Sequence, residues 1–226
     1  MKKNFLILKA TNDICGNEIG LIEHHCKLLD MEVFSEDVIN NDSIIDLVRK
    51  YSKDEVKFNY IYLCTHGDKN SFQTNLSGDK IDFSWSSFGG LICETEILKN
   101  DTILLLGCCK GGMFNVATDI MAVCNKINFV CGVKWNVKAW DLTTGFIVFL
   151  HNIENKNAEP SYAAQKASLA TDYTFVCYDR DEIEMMPQFL QRQLNLYIEL
   201  GWADDHGNWI STDPKVNENT GHTEVL

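Results

Sequence analysis

The sequence predicts an α/β protein with a mostly parallel central sheet and helices on both faces. Short apolar runs alternate along the chain with longer segments whose apolar residues recur at helical spacing. This alternation is typical of strand–helix–strand crossovers, which make neighbouring strands parallel and bury both faces of the sheet. The 226 residues, 45% of them hydrophobic, are enough for one such domain.

The predicted elements follow one another in a regular order. Apolar runs predict strands at residues 5–8, 31–34, 60–64, 103–106 and 129–131. Helical spacing predicts helices at residues 18–29, around 44–48, at 117–123, 143–153, 161–171 and 188–200. The last two helices are preceded by Pro160 and Pro187, and the final one is followed by Gly201. We expect one domain over residues 1–203 and a polar tail over residues 204–226.

Charge and cysteine content exclude several functional classes. The chain has 20 basic and 32 acidic residues, a net charge of −12, which argues against binding nucleic acid or an anionic membrane. The apolar runs are too short to span a bilayer, and the MKKNFLILK start turns polar too early for a signal peptide. Nine cysteines without a CxxC pair predict reduced thiols in a cytoplasmic protein, with no metal site.

Reactive side chains follow two of the predicted strands. His66 and Gly67 come after strand 60–64, and Cys108 and Cys109 come after strand 103–106. Functional groups on an open α/β sheet gather at the carboxyl ends of its strands. A cysteine nucleophile needs an imidazole to handle its proton and main-chain N–H groups for an oxyanion. Buried cysteines and strand-end histidines are often only structural, but the combination favours a catalytic dyad.

These residues resemble the caspase-fold cysteine peptidases (clan CD), and within them the bacterial CHAT group. Caspases have a strand ending in His-Gly and, about 50 residues later, a strand ending in small-Cys-x-Gly. Here Cys109 follows His66 by 43 residues, within the segment Gly-Cys-Cys-Lys-Gly at 107–111. Residues 130–137 resemble the CHAT strand that leads into a Leu-Trp-Pro-Val turn. Asp141 and Thr143 resemble the Asp and Thr that begin the next CHAT helix, and residues 163–167 resemble the helix after it. Residues 18–33 resemble the caspase helix that precedes the histidine, so that the resemblance covers about residues 4–175.

The resemblance implies a caspase-like three-layer fold and a cysteine endopeptidase that needs no cofactor. His66 and Cys109 would form the dyad, and the N–H groups of Gly67 and Cys109 would form the oxyanion hole. A separase-like alignment would instead make Cys108 the nucleophile, although only Cys109 also gives the Cys-basic-Gly pattern. A disulfide between the two adjacent cysteines is a third, redox alternative.

Substrate preference depends on the residues after strand 129–131. Asp141, close to Trp135 and Trp140, predicts that the substrate residue before the cut, P1, is Arg or Lys. Trp135 would also contact substrate. The alternative is that Asp141 caps the N-terminus of the helix that follows. The sequence leaves both open.

Regulation and biological role follow only from the resemblance. The chain has no Asp-flanked linker after the cysteine strand, so we expect activation by a companion protein or ligand rather than processing into two chains. CHAT proteins of this size imply a part in bacterial defence or regulated cell death, with a protein or peptide as substrate. The rival is a catalytically idle caspase-fold module that binds a partner. A receiver-like domain would need an acidic cluster, and Asp13 alone does not supply one.

Overall fold

A six-stranded, mostly parallel sheet forms the centre of the protein. The structure, a computed structural model, describes residues 2–12, 16–78, 80–93, 96–204 and 210. The central strands are β1 (Asn4–Lys9), β2 (Glu32–Asp37), β3 (Phe58–Cys64), β7 (Leu98–Gly107), β8 (Ile127–Val133) and β9 (Phe175–Asp179). Their order is β2-β1-β3-β7-β8-β9, and β9 alone runs antiparallel to its neighbour. A small antiparallel sheet contains β4 (His66–Gly67), β5 (Ser71–Thr74) and β6 (Ile81–Ser84).

Helices cover both faces of the central sheet. One face packs against α1 (Gly16–Leu28), α5 (Ala139–Lys156) and α6 (Pro160–Thr171). The other packs against α2 (Asn41–Lys53), α3 (Trp85–Cys93), α4 (Phe114–Val123), α7 (Arg180–Glu184) and α8 (Pro187–Glu199). Within β3, Ile61 and Leu63 enter one core while Tyr60 and Tyr62 enter the other. This alternation is why the central strands read as continuous apolar runs.

The structure confirms the predicted three-layer α/β architecture and places a helix or strand at every predicted position. The sequence pattern missed β4 to β6, α3, β9 and α7. The last of these, α7, contains Glu182 and Glu184. Asp179 begins that helix by accepting a hydrogen bond from the Asp181 N–H at 2.8 Å.

Two of the cysteines are paired. Cys131 on β8 and Cys177 on β9 form a disulfide, and they stand directly opposite each other with their Cα atoms 4.1 Å apart. The expectation that all nine cysteines are reduced is therefore wrong for this pair, because the sequence pattern gives no sign of β9. Five others within the described residues are free thiols: Cys26, Cys93, Cys108, Cys109 and Cys124.

The C-terminal end is described only in part. The Ile210 N–H donates to the Trp202 carbonyl oxygen at 2.8 Å. Residues 205–209 and 211–226, most of the predicted polar tail, lie outside the described residues, as does Asp13. Among the described helices, none is long and apolar enough to cross a membrane.

Candidate active site

The predicted catalytic residues lie at the carboxyl ends of neighbouring parallel strands. β3 and β7 pair so that Cys64 stands opposite Gly107. His66 follows the first strand by two residues, and Cys109 follows the second by the same step. The chain after β8 reaches the same edge, because the Lys110 N–H donates to the Trp135 carbonyl oxygen at 3.1 Å. The sheet thus brings together residues that are far apart in sequence.

A pocket of about 240 Å³ opens between these strand ends. Its lining consists of Thr65, His66, Gly107, Cys108, Cys109, Val137, Ala139 and Leu142. A second pocket, of about 170 Å³, lies against His66 and is lined by Gly67, Asp68, Ser71 and Gln73. His66 is exposed and borders both pockets. A substrate lying across the two pockets would therefore pass the imidazole.

The two adjacent cysteines have different environments. Cys108 is only 2% exposed. Burial above all, and then the nearby Cys109, raise its pKa far above the ordinary value, and a hydrogen bond from the Gly111 main chain opposes this rise. Cys109 is half-buried, and its Sγ accepts a hydrogen bond from the Val137 N–H at 3.5 Å. Both are free thiols. Since a nucleophile must be accessible and burial disfavours the thiolate of Cys108, this contrast favours Cys109.

The loop that carries Cys109 is fixed against the end of β8. The Gly112 N–H donates to the Val133 carbonyl oxygen at 2.9 Å, and Lys110 adopts a left-handed conformation with φ of 59°. A Cβ atom at Gly112 would lie 2.4 Å from the Gly132 carbonyl oxygen. Only glycine permits this approach of two backbones, which explains why glycines surround the cysteine.

Two main-chain N–H groups at the site, those of Gly67 and Cys109, are the predicted oxyanion donors. The Asp68 N–H donates to the Ser71 carbonyl oxygen at 2.9 Å, which makes those residues a hydrogen-bonded pair. Pairs alternate along an antiparallel ladder, so the next pair, Gly67 with Phe72, is not hydrogen-bonded and the Gly67 N–H points away from β5. Within the described part of the chain, the N–H of Cys109 makes no hydrogen bond. An N–H group that is not engaged in the β-ladder or in another hydrogen bond is the kind of donor that an oxyanion hole requires.

Gly67 is in close contact with the buried thiol, which gives a prediction about stability. A Cβ atom at Gly67 would lie 2.7 Å from Cys108 Sγ, so Gly67→Ala should lower the free energy of unfolding by about 1–3 kcal/mol. Adding Cys108→Ala removes the sulfur and should restore part of that loss. Denaturant unfolding of both variants measures the effect. Gly90→Ala, where a Cβ meets nothing within 4 Å, is the control, and equal losses at Gly67 and Gly90 would contradict the contact.

Asp141, Trp135 and Trp140 belong to the segment that lines the pocket, but the described pocket lining includes their neighbours Val137, Ala139 and Leu142 and none of the three. Trp135 follows β8 and is 61% exposed, and Trp140 in the first turn of α5 is 67% exposed. Asp141 is half-buried at the third position of α5. The alternative role of Asp141 as N-cap is wrong, because Lys138 occupies that position and makes no side-chain cap. The carboxylate nonetheless lies where the helix dipole favours a negative charge.

The sequence missed the residues that form the apolar side of the pocket. Val137, Ala139 and Leu142 lie in the turn after β8 and the first turn of α5. The resemblance marked this segment through its neighbours Trp135 and Asp141. The sequence offered one signal, apolar residues between polar ones over residues 136–142. That signal does not show which side chains line a pocket, because the direction of each side chain depends on where α5 begins.

A second reactive thiol lies away from the site. Cys93 ends α3, and a hydrogen bond with the Cys124 thiol lowers its pKa to about 6, aided by the main chain of Asn125 and Lys126 and opposed by burial. Burial raises the pKa of Cys26 to about 12. Cys93 is half-buried, so that a small reagent has access to it.

Cys93 should therefore react with iodoacetamide at unusually low pH. A lowered pKa means that the thiolate is present above about pH 6, so labelling should rise through pH 6 and level off near pH 7. Cys26 should stay unlabelled over that range. Mass spectrometry of peptides after timed labelling measures both rates, and a Cys93 rate that still rises tenfold between pH 7 and 8 would contradict this prediction.

Comparisons with protein families and with curated proteins find no match. No protein-family model matches the chain, and no curated protein is detectably similar to it in sequence. Among the described residues, no group of three or more His, Cys, Asp or Glu side chains is arranged to hold a metal ion.

Proposed function

We propose that this protein is a cysteine endopeptidase that cleaves a protein or peptide substrate through His66 and Cys109. One observation carries the proposal: an exposed imidazole and the accessible one of two adjacent thiols line the same pocket, while the other thiol is buried. The resemblance of the two strand-end motifs to caspase-fold peptidases supports the same chemistry.

The reaction proceeds by acyl transfer to sulfur. His66 accepts the Cys109 proton, and the sulfur attacks the peptide carbonyl carbon to give a tetrahedral oxyanion. Collapse of this intermediate breaks the C–N bond, and His66 donates the proton to the leaving amine. Water, deprotonated by His66, then attacks the thioester, releasing the carboxylic acid and returning the proton to the thiol. The substrate carbonyl must lie at the pocket mouth, beside Cys109.

The main chain stabilises the charge that develops on the carbonyl oxygen. The N–H of Cys109 has no acceptor among the described residues, and the N–H of Gly67 points away from its ladder neighbour. Donors held in place before the reaction act without reorganisation, and loss of one such donor costs about 10²–10³-fold in rate. Gly67 supplies this donor without a side chain that would displace Cys108.

Mapping of new N-termini tests the proposal. A proteome-derived peptide library is incubated with the wild type, with Cys109→Ala and with His66→Ala, and new N-termini are identified by mass spectrometry. We expect cuts with the wild type that are lost in both variants. Cys93→Ala is the matched control, since it removes a reactive thiol outside the pocket. Cuts that persist in Cys109→Ala would refute the dyad.

A partner-binding module is the second candidate. The observation that favours it is the pair Trp135 and Trp140, both largely exposed in the segment that lines the pocket, because exposed aromatic side chains are typical anchors at interfaces. A pull-down with Cys109→Ala as bait separates the two functions. A pure binding module retains its partner in that variant, loses it in Trp140→Ala, and yields no cleavage in any form.

Activation by a companion protein or ligand stays a prediction, and so do the cytoplasmic location and the role in bacterial defence. Full peptidase activity of the isolated protein, unchanged when a cell extract is added, would contradict the need for an activator.

A further inference from the structure

We propose that the pocket beside Cys109 selects an uncharged, apolar P1 side chain of the size of Leu, Met or Phe. This inference rests on the proposed peptidase function and concerns the substrate class of the same site. The segment from the turn after β8 to the first turn of α5 contributes only apolar residues to the pocket lining, namely Val137, Ala139 and Leu142. Among the residues that the structure describes, the pocket lining contains no carboxylate, lysine or arginine.

The size of the pocket fits one medium side chain. A cavity of about 150 Å³ lined by aliphatic residues is enough to hold a benzene ring. The present pocket measures about 240 Å³ and opens towards Cys109. A P1 side chain enters next to the attacked carbonyl, so this is the space it meets first. Burying an apolar group there is favourable in proportion to the area removed from water.

A charged P1 side chain would have no charge partner among the described residues that line this pocket. Moving an ammonium or guanidinium group into an apolar site is costly unless a carboxylate pairs with it. Ala139 and Leu142 are three residues apart in α5 and so share one face of the helix. Asp141 lies next to Leu142, and adjacent residues on a helix do not face the same way. The geometry therefore favours an apolar P1 over the basic one that Asp141 predicts.

Cys109 can be tested with peptide electrophiles. Three N-acetylated Ala-Ala-X chloromethyl ketones, with X as Leu, Arg or Asp, are applied to a Cys93→Ser background. His66 accepts the Cys109 proton, the sulfur forms a C–S bond, the C–Cl bond breaks and chloride leaves. Labelling of Cys109 is timed by mass spectrometry of its peptide. We expect the Leu reagent to react at least about tenfold faster than the Arg or Asp reagent, the lower end of what apolar pockets achieve.

Adding a carboxylate to the pocket should reverse the preference. Val137→Asp changes only a side chain, and its main-chain contact with Cys109 Sγ remains. The rate ratio of Leu to Arg reagent should fall by about 10–100-fold. Asn136→Asp is the matched control, because it adds the same charge to an exposed neighbour in the same turn and should leave the ratio unchanged. If Val137→Asp does not fold, Ala139→Asp replaces it, since an acid is tolerated at the first position of a helix.

The possible outcomes separate the two proposals. Faster labelling by the Arg reagent in the wild type, or equal labelling by all three, would overturn the apolar P1 and leave the peptidase standing. A faster Arg reagent that is lost in Asp141→Asn would assign P1 recognition to Asp141. Absence of Cys109 labelling by every reagent would overturn the peptidase proposal, and the P1 inference with it.

Discussion

Cys109→Ala should reduce peptide cleavage by at least about 10³-fold, whereas Cys108→Ala should retain most of it. The reason is the contrast between the two thiols. Cys109 borders the pocket and accepts the Val137 N–H, while Cys108 is 2% exposed and burial raises its pKa, which keeps it protonated at neutral pH. The measurement is the initial cleavage rate of one peptide identified by N-terminal mapping.

Stability provides the complementary measurement. Cys109→Ala should unfold at nearly the wild-type temperature, because its side chain is only half-buried. Cys108→Ala empties space between Gly67 and Gly111 and should cost about 1 kcal/mol. Cys109→Ala should therefore lose activity and keep its stability, whereas Cys108→Ala should lose stability and keep its activity. Loss of cleavage in Cys108→Ala alone would assign the nucleophile to Cys108 and the separase-like alignment.

The parts of the fold that the sequence predicts are those with a local signal. The strand before His66 and the strand before Cys109 are unbroken apolar runs, because both faces of the sheet are buried. The β4–β6 sheet and β9 are short, and their pairing depends on distant partners such as Cys131 opposite Cys177. Composition and spacing carry no record of such partners, which is why the disulfide was missed.

The residues of the candidate site were likewise predictable only where they carry a local signal. His66 and Cys109 were identifiable because each follows an apolar run, and the chemistry requires both. The apolar part of the pocket lining could not be identified in this way. Val137 and Leu142 line the same pocket as Cys109 because α5 begins at Ala139. Its start was predicted four residues later, so that Asp141 appeared to precede the helix. The earlier start of α5 removes the capping role of Asp141 and changes the helix face on which Asp141 lies.

Arg180→Met should lower the free energy of unfolding by about 3–5 kcal/mol, more than Gly67→Ala or Cys108→Ala. Arg180 is 8% exposed, and its guanidinium donates to the carbonyl oxygens of Ile127 at 3.0 Å, of Met121 at 3.1 Å and of Cys124. Two of these acceptors belong to the end of α4, where a helix leaves carbonyls unpaired. Methionine keeps the apolar stem but leaves three carbonyls without their donor.

Thermal and denaturant unfolding measure this loss of stability, and the cleavage rate below Tm shows whether the site is affected. For a chain of this length, the expected change corresponds to a fall in Tm of roughly 10 °C. Arg49→Met is the control, since Arg49 is exposed on α2 and its ion pair with Asp46 contributes little. Ile127 begins β8, at the opposite end of that strand from the Val133 contact that fixes the Cys109 loop. Below its Tm, Arg180→Met should therefore keep wild-type cleavage rates, and a rate loss without a stability loss would show that Arg180 acts on the pocket instead.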